Sequence, residues 1–255
     1  MMILSIPANY SERKRTEENV QLIAESVFLW YSTKYIMGRK RIDRDKIVQS
    51  FLISAFEKSA GATSLADVAS LLDVNKASLY NHFESRDEIY DATLDFCAEY
   101  MGKVQFIPGS MDSMFELMPV DALAKLIRQY FRSYELEPLF QMYTFIHSNQ
   151  FFSKKAADIA GEEKRKIAEG ITDLAVKFAA AGKLNHHLLK DTQRHAFFFA
   201  TALSEQLNTY ITNKKETVRQ NPESGAGSLF ALPPDDSALN EILEQDILYW
   251  NSFTK

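Results

Sequence analysis

The chain has 255 residues, 46% of them hydrophobic, and a formal net charge of −5. That is enough length and apolar content for one large domain, or a small domain joined to a larger one, around a real core. The acidic balance excludes a protein that coats itself in nucleic acid without excluding a local basic site, and a lone Cys97 excludes a disulfide framework or a thiolate metal cluster.

Only nine glycines and seven prolines occur, and alternating β-branched runs are scarce, so the composition predicts an all-α fold. The opening MMILSIPA is shorter than a signal-peptide core with its flanks. No stretch approaches the roughly 18 uninterrupted apolar residues of a membrane span. The expectation is a cytoplasmic protein that does not enter a membrane.

In chain order, residues 16–35 place Val20, Ile23, Ala24, Val27, Trp30 and Tyr31 at helical spacing, with Thr16 as N-cap. Gly38 ends that stripe, and the basic run containing Arg39, Lys40 and Arg41 follows. A helix from about Asp43 to Lys58 buries Ile47, Val48, Phe51, Leu52, Ala55 and Phe56, with Gly61 expected as its left-handed stop. Ser64 to Asp67 is a capping box that opens a short helix, Asn75 caps the next, and Ser85 to Glu88 is a second box.

Beyond Pro108 the helices lengthen. Pro119 to Tyr134 and a helix opened by Pro138 are followed by long helices over 155–181, stopped by Gly182, and over 188–211. Residues 216–237 are rich in turn-formers and read as a loop; a last helix starts at Ser237. The implied units are an N-terminal extension helix over 1–38, a three-helix unit over 39–88 and a larger helical unit over 89–255.

The three short elements between 43 and 83 make a helix-turn-helix. At 100° per residue, Leu79 and Phe83 fall within about 40° of each other and form the buried stripe of the third element. Ala77, Ser78 and Asn81 then point away from that stripe. Tyr80 and His82 lie on its flanks and Lys76 sits in the first turn. Small or hydrogen-bonding side chains facing base edges, with flanking donors reaching phosphates, suit a DNA major groove. The positive end of the helix dipole favours a phosphate near Asn75 or Lys76. Arg39, Lys40 and Arg41 read either as a solvated charge run or as an arm reaching towards phosphates or the minor groove.

The segment ATSLADVASLLDVNKASLYNHFESRDEIYDA, residues 62–92, resembles the DNA-binding domain of the TetR family of transcriptional regulators. That family's pattern runs Thr, Ile-Ala, a Gly-Val turn, a Ser and a Leu-Tyr-x-His-Phe ending. The Leu79-Tyr80-x-His82-Phe83 run follows Val74 at the same spacing. The resemblance, over about residues 43–95, implies an all-α homodimer that reads a pseudo-palindromic operator and encloses a ligand in its C-terminal helices. It also implies DNA contacts at Asn75, Lys76, Ser78, Tyr80, His82 and Arg86, with Ser64 at a phosphate. Asp73 departs from the family's turn glycine, Ala77 from a frequent glycine, and residues 1–38 from its usual short arm.

Other chemistry finds little support. His187, Asp191 and His195 are spaced along one helix face, but nothing else supplies converging ligands, so no metal and no cofactor are expected. No Gly-rich phosphate loop or Gly-x-Ser-x-Gly elbow occurs, and Cys97 falls on an apolar face, so no enzyme is expected. Among the aromatics between 130 and 200, Tyr130, Tyr134, Tyr143 and His147 are candidates to orient a small, mostly apolar ligand between helices. The expected function is therefore a dimeric regulator, a repressor released by such a ligand. The alternatives are a helix-turn-helix-shaped protein-interaction module, or a regulator controlled by a protein partner.

Overall fold

The computed structural model describes residues 42–107, 114–184, 191–220 and 236–251, and its elements are helices. The stripe over 16–35 and the run Arg39, Lys40, Arg41 lie outside the described residues, as does His187.

Helix α1, Arg44–Lys58, starts on Asp43, whose side chain accepts from the Lys46 N–H at 2.9 Å. Its buried residues include Ile47, Val48, Phe51, Leu52, Ala55 and Phe56, so it faces the core on most of its circumference. Helix α2, Leu65–Leu71, opens on the expected capping box between Ser64 and Asp67. The Lys58 ammonium, 2.6 Å from the Asp67 carboxylate, ties the end of α1 to the start of α2. That contact and the bonds from Ser64 hold the Asp67 pKa down at about 2.

One expected stop is corrected. The residue with positive φ after α1 is Ser59, at φ 88°, and not Gly61. The neighbours of Gly61 hold the connector instead. Ser59 donates its N–H to Ala55 at 2.9 Å, and its carbonyl accepts from the Thr63 N–H and hydroxyl at 3.1 and 2.9 Å.

The turn after α2 uses Asp73 at φ 52°. Its N–H bonds to the Ser70 carbonyl at 3.2 Å and that of Val74 to Ala69 at 3.0 Å, the paired bonds of a Schellman ending. The same pair closes the long helix α7, Lys154–Ala180, with Gly182 at φ 71° in the equivalent place. The turn type is thus the expected one, and Asp73 occupies it with a Cβ that a glycine lacks.

Helix α3, Lys76–Leu79, is a single turn, and α4, Arg86–Gly102, follows it. Then come α5, Pro119–Tyr134, α6, Leu139–Asn149, α7, and α8, Thr192–Gln220, with α9, Asp236–Asn251, last. Helix α4 packs on α1, α6 and α7, and α7 lies along α8. Two edge-to-face pairs, Phe56–Phe140 at 5.0 Å and Phe51–Phe145 at 6.3 Å, run α1 antiparallel to α6.

Residues 216–220, expected as loop, are the last turn of α8. Glu216 bonds Arg219 at 2.6 Å and Gln220 at 2.7 Å within that turn. Just before it, Lys214 lies 3.0 Å from the buried Glu135 and Tyr210 donates to the same carboxylate, which draws this stretch onto the end of α5. No described helix is long and apolar enough to cross a membrane.

Replacing Asp73 by glycine is expected to raise the unfolding free energy by about 0.5–1 kcal/mol by removing the left-handed penalty. Urea denaturation of the two proteins measures it. A loss of stability would show that the aspartate side chain contributes more than its backbone strain costs.

Candidate nucleic-acid interface and regulatory cluster

Asn75 caps α3: its side-chain carbonyl accepts from the Ser78 N–H at 2.9 Å and from the Ser78 hydroxyl at 3.0 Å. Although α3 ends at Leu79, the N–H groups of His82 and Phe83 bond to the Leu79 carbonyl at 3.0 and 3.1 Å, so a further turn keeps Phe83 beside Leu79. Leu79 is 1% and Phe83 3% exposed. Lys76, Ala77 and Asn81 are exposed, Tyr80 is 51% exposed, and Ser78 and His82 are half-buried. A single turn has little dipole, so the apolar pair and its supports, rather than helix electrostatics, set this surface.

The supports are two arginines. Arg44 donates to the His82 carbonyl, lies 3.9 Å over the Phe83 ring and pairs with Glu88 at 2.9 Å. Glu88 also accepts from the Glu84 N–H at 2.6 Å, and these bonds, the Glu84 one first, lower its pKa. Sequence reasoning missed Arg44; its place at the first position of α1 carries no local signal. Arg86, expected at DNA, instead gives its guanidinium to the carbonyls of Thr63, at 2.7 Å, and Ala60, with Phe51 under it at 5.5 Å. It holds the α1–α2 connector in place. The Ser64 hydroxyl donates to Asp67 at 2.7 Å, so it meets a phosphate only by leaving that bond.

The other candidate residues come together deeper in the molecule. Tyr130, Tyr134 and Tyr143 are buried and His147 is half-buried, and their common centre is Glu163, which sequence reasoning did not select. The Tyr130 hydroxyl donates to Glu163 at 3.0 Å, and the His147 Nε2 lies 3.1 Å from its other carboxylate oxygen. The Tyr130 and Tyr134 hydroxyls are 3.3 Å apart, and the Tyr143 ring stacks on His147 at 3.9 Å. The Tyr143 hydroxyl is buried without a hydrogen-bond partner. Burial first, and then the Glu163 charge, push the Tyr130, Tyr134 and Tyr143 pKa values up, so all three stay neutral.

A signal for Glu163 existed. Ala156, Ala160, Ile167, Ile171, Leu174 and Phe178 form the buried stripe of α7, and Glu163 takes the position between Ala160 and Ile167. An acid on an apolar stripe asks for a partner.

Among the remaining candidates, Asp191 lies 3.9 Å from Arg194. Cys97 is buried, and burial raises its thiol pKa, which makes it a packing residue.

Residues 54–93, which hold α2, α3 and Arg86, match the family model described as bacterial regulatory proteins, tetR family. Over those residues the chain is similar to the DNA-binding part of TetR-family regulators. It is 28% identical over 137 residues to IcaR, the HTH-type negative transcriptional regulator of the biofilm operon icaADBC in Staphylococcus aureus, covering 49% of this chain and 74% of that protein. The IcaR of Staphylococcus epidermidis is 28% identical over 74 residues, which is 29% of this chain and 39% of that protein. Two solved structures share the fold at a TM-score of 0.50. One is a TetR-family regulator from Mesorhizobium loti, 13% identical and covering 83% of this chain and 96% of its own. The other is the fatty acid degradation regulator FadR from Bacillus halodurans, 14% identical and covering 83% and 97%.

Replacing Glu163 by alanine leaves the Tyr130 hydroxyl and the His147 ring without their acceptor. It is expected to lower stability by about 1–3 kcal/mol. Thermal unfolding checks this, and an unchanged melting temperature would mean the cluster re-pairs internally.

Proposed function

We propose that this regulator binds a pseudo-palindromic operator as a homodimer through the free side of α3, represses transcription there, and is released when a small ligand engages the cluster around Glu163. The observation that carries the DNA reading is the division of one short segment: Leu79 and Phe83 are buried while Lys76, Ala77, Tyr80 and Asn81 stand exposed. In this reading Asn81 and Lys76 face base edges with Ala77 and Ser78 permitting close approach, and Tyr80 and His82 reach phosphates on the two walls. Asn75 fixes the start of the segment. Arg39, Lys40 and Arg41, just upstream of α1, extend the contact along the backbone or into the minor groove.

Repression is supported by the likeness to IcaR, a negative regulator. Dimerisation is supported by Val176 on α7 and Phe197 and Phe198 on α8, exposed apolar residues on the two helices that lie along each other. Buried between two copies, they would close a four-helix contact. The ligand reading rests on Tyr130, Tyr134, Tyr143 and His147 gathering about one carboxylate with the Tyr143 hydroxyl left unpaired. A ligand that bonds that hydroxyl between otherwise apolar walls favours whichever spacing of α5, α6 and α7 admits it. Helix α4 packs on α1, α6 and α7, so it carries the change to the reading surface. A 100-fold loss of operator affinity requires a differential of about 2.7 kcal/mol.

Fluorescence anisotropy with duplexes from upstream of the chain's own coding sequence tests this. Binding is expected to weaken steeply with salt. His82→Ala or Tyr80→Phe should lower affinity for all duplexes alike, by about 3–10-fold. Lys76→Ala or Asn81→Ala should change which sequence is preferred, by about 1–3 kcal/mol at the altered position. An unchanged preference in those two variants would refute the division into base-reading and phosphate-holding residues; absence of any binding at low ionic strength would refute the reading itself.

A further inference from the structure

We propose that the exposed pair Phe151–Phe152 is the seat of the apolar stripe in the chain's own N-terminal segment, Val20, Ile23, Ala24, Val27, Trp30 and Tyr31, which straps the start of α1 to the turn between α6 and α7. Both phenylalanines are 87% exposed. Their turn is nevertheless fixed: the N–H groups of Phe152 and Ser153 bond to the Asn149 carbonyl at 3.0 and 2.9 Å, and Ser153 caps α7. Two adjacent rings held outward in this way offer roughly 300 Å² of apolar surface, close to the largest patch a monomer leaves open.

Position selects the occupant. The antiparallel register set by Phe56–Phe140 and Phe51–Phe145, continued along both helices, brings the first turn of α1 level with the end of α6 and its phenylalanines. Helix α4 joins the same corner: Glu88 pairs with Arg44, and the Tyr90 hydroxyl donates to Asn149 at 3.4 Å. The segment before Ile42 therefore enters the described fold beside this patch. Residues 32–41 between Tyr31 and Ile42 span up to about 33 Å when extended, enough to fold the stripe back onto the pair.

Charge agrees with an apolar cover. Lys154 is paired with Asp158 at 2.7 Å and Lys155 with Asp95 at 2.5 Å, so these neighbouring ammonium groups are already neutralised. A second copy is the poorer occupant, because Val176, on the α7–α8 face assigned to dimerisation, lies about 33 Å further along α7 than Lys154.

The test reads Trp30 in a full chain carrying Trp250→Phe, since the protein has two tryptophans. Emission is expected to be blue-shifted and poorly quenched by acrylamide. Phe151→Ser with Phe152→Ser should shift it to the red and raise quenching several-fold, with the melting temperature unchanged. In the chain that keeps Trp250, the same double change should speed tryptic cleavage between residues 13 and 34 by about 10-fold, which guards against an effect of the tryptophan replacement. A solvent-exposed Trp30 in the parent, or emission and cleavage indifferent to the phenylalanines, overturns the proposal. So does recovery of shielding when a Trp30 copy lacking the phenylalanines is mixed with a Trp30→Phe copy that has them, because the seat would then be filled from another chain.

Discussion

The edge-to-face contacts of Phe51 and Phe56 with Phe145 and Phe140 join the helix beneath the reading surface to the helix that carries Tyr143 and His147. Helix α1 is buried on most of its circumference, so these rings cannot shift without disturbing both sides at once. At its start, Arg44 holds the His82 carbonyl and covers Phe83; at its middle, Phe51 lies under Arg86. Any change in the angle between α1 and α6 therefore moves the base of α3 as a unit. In the proposed dimer, a rigid joint of this kind would turn a small displacement in the larger unit into a change of spacing between the two copies of α3.

The basic residues around α3 divide by what their side chains meet. Arg44 and Arg86 have planar guanidinium groups that bond carbonyl oxygens while covering an aromatic ring, and both are used to build the surface. Lys76 stands exposed on that surface. An acidic chain can bind a polyanion under these conditions, since attraction depends on the charges that face it and not on the total.

Glu163 gives the larger unit its polar centre. A buried carboxylate is costly unless its oxygens are bonded, and here Tyr130 and His147 occupy them. The same three-helix junction leaves the Tyr143 hydroxyl unsatisfied, a local defect in an otherwise paired cluster. A phenylalanine would fill the same space without an unpaired hydroxyl, so this is the atom on which the proposed ligand reading turns.

The residues that form and end the helices were legible in the sequence wherever the cause was local. Capping by Asp43, Ser64, Asn75 and Ser85, the left-handed turn at Asp73, the stop at Gly182 and the buried pair Leu79 and Phe83 all depend on neighbours within about four residues. So did the gathering of Tyr130 with Tyr134, and of Tyr143 with His147, each pair one helical turn apart. Tertiary structure alone decided what Arg86 bonds across 23 residues, that Glu163 joins Tyr130 across 33, that Tyr210 of α8 reaches Glu135 across 75, and that Phe151 and Phe152 stand exposed. Periodicity assigns a side chain to a face, but the partner on that face is chosen by which other element arrives there, and that choice belongs to packing of the whole chain.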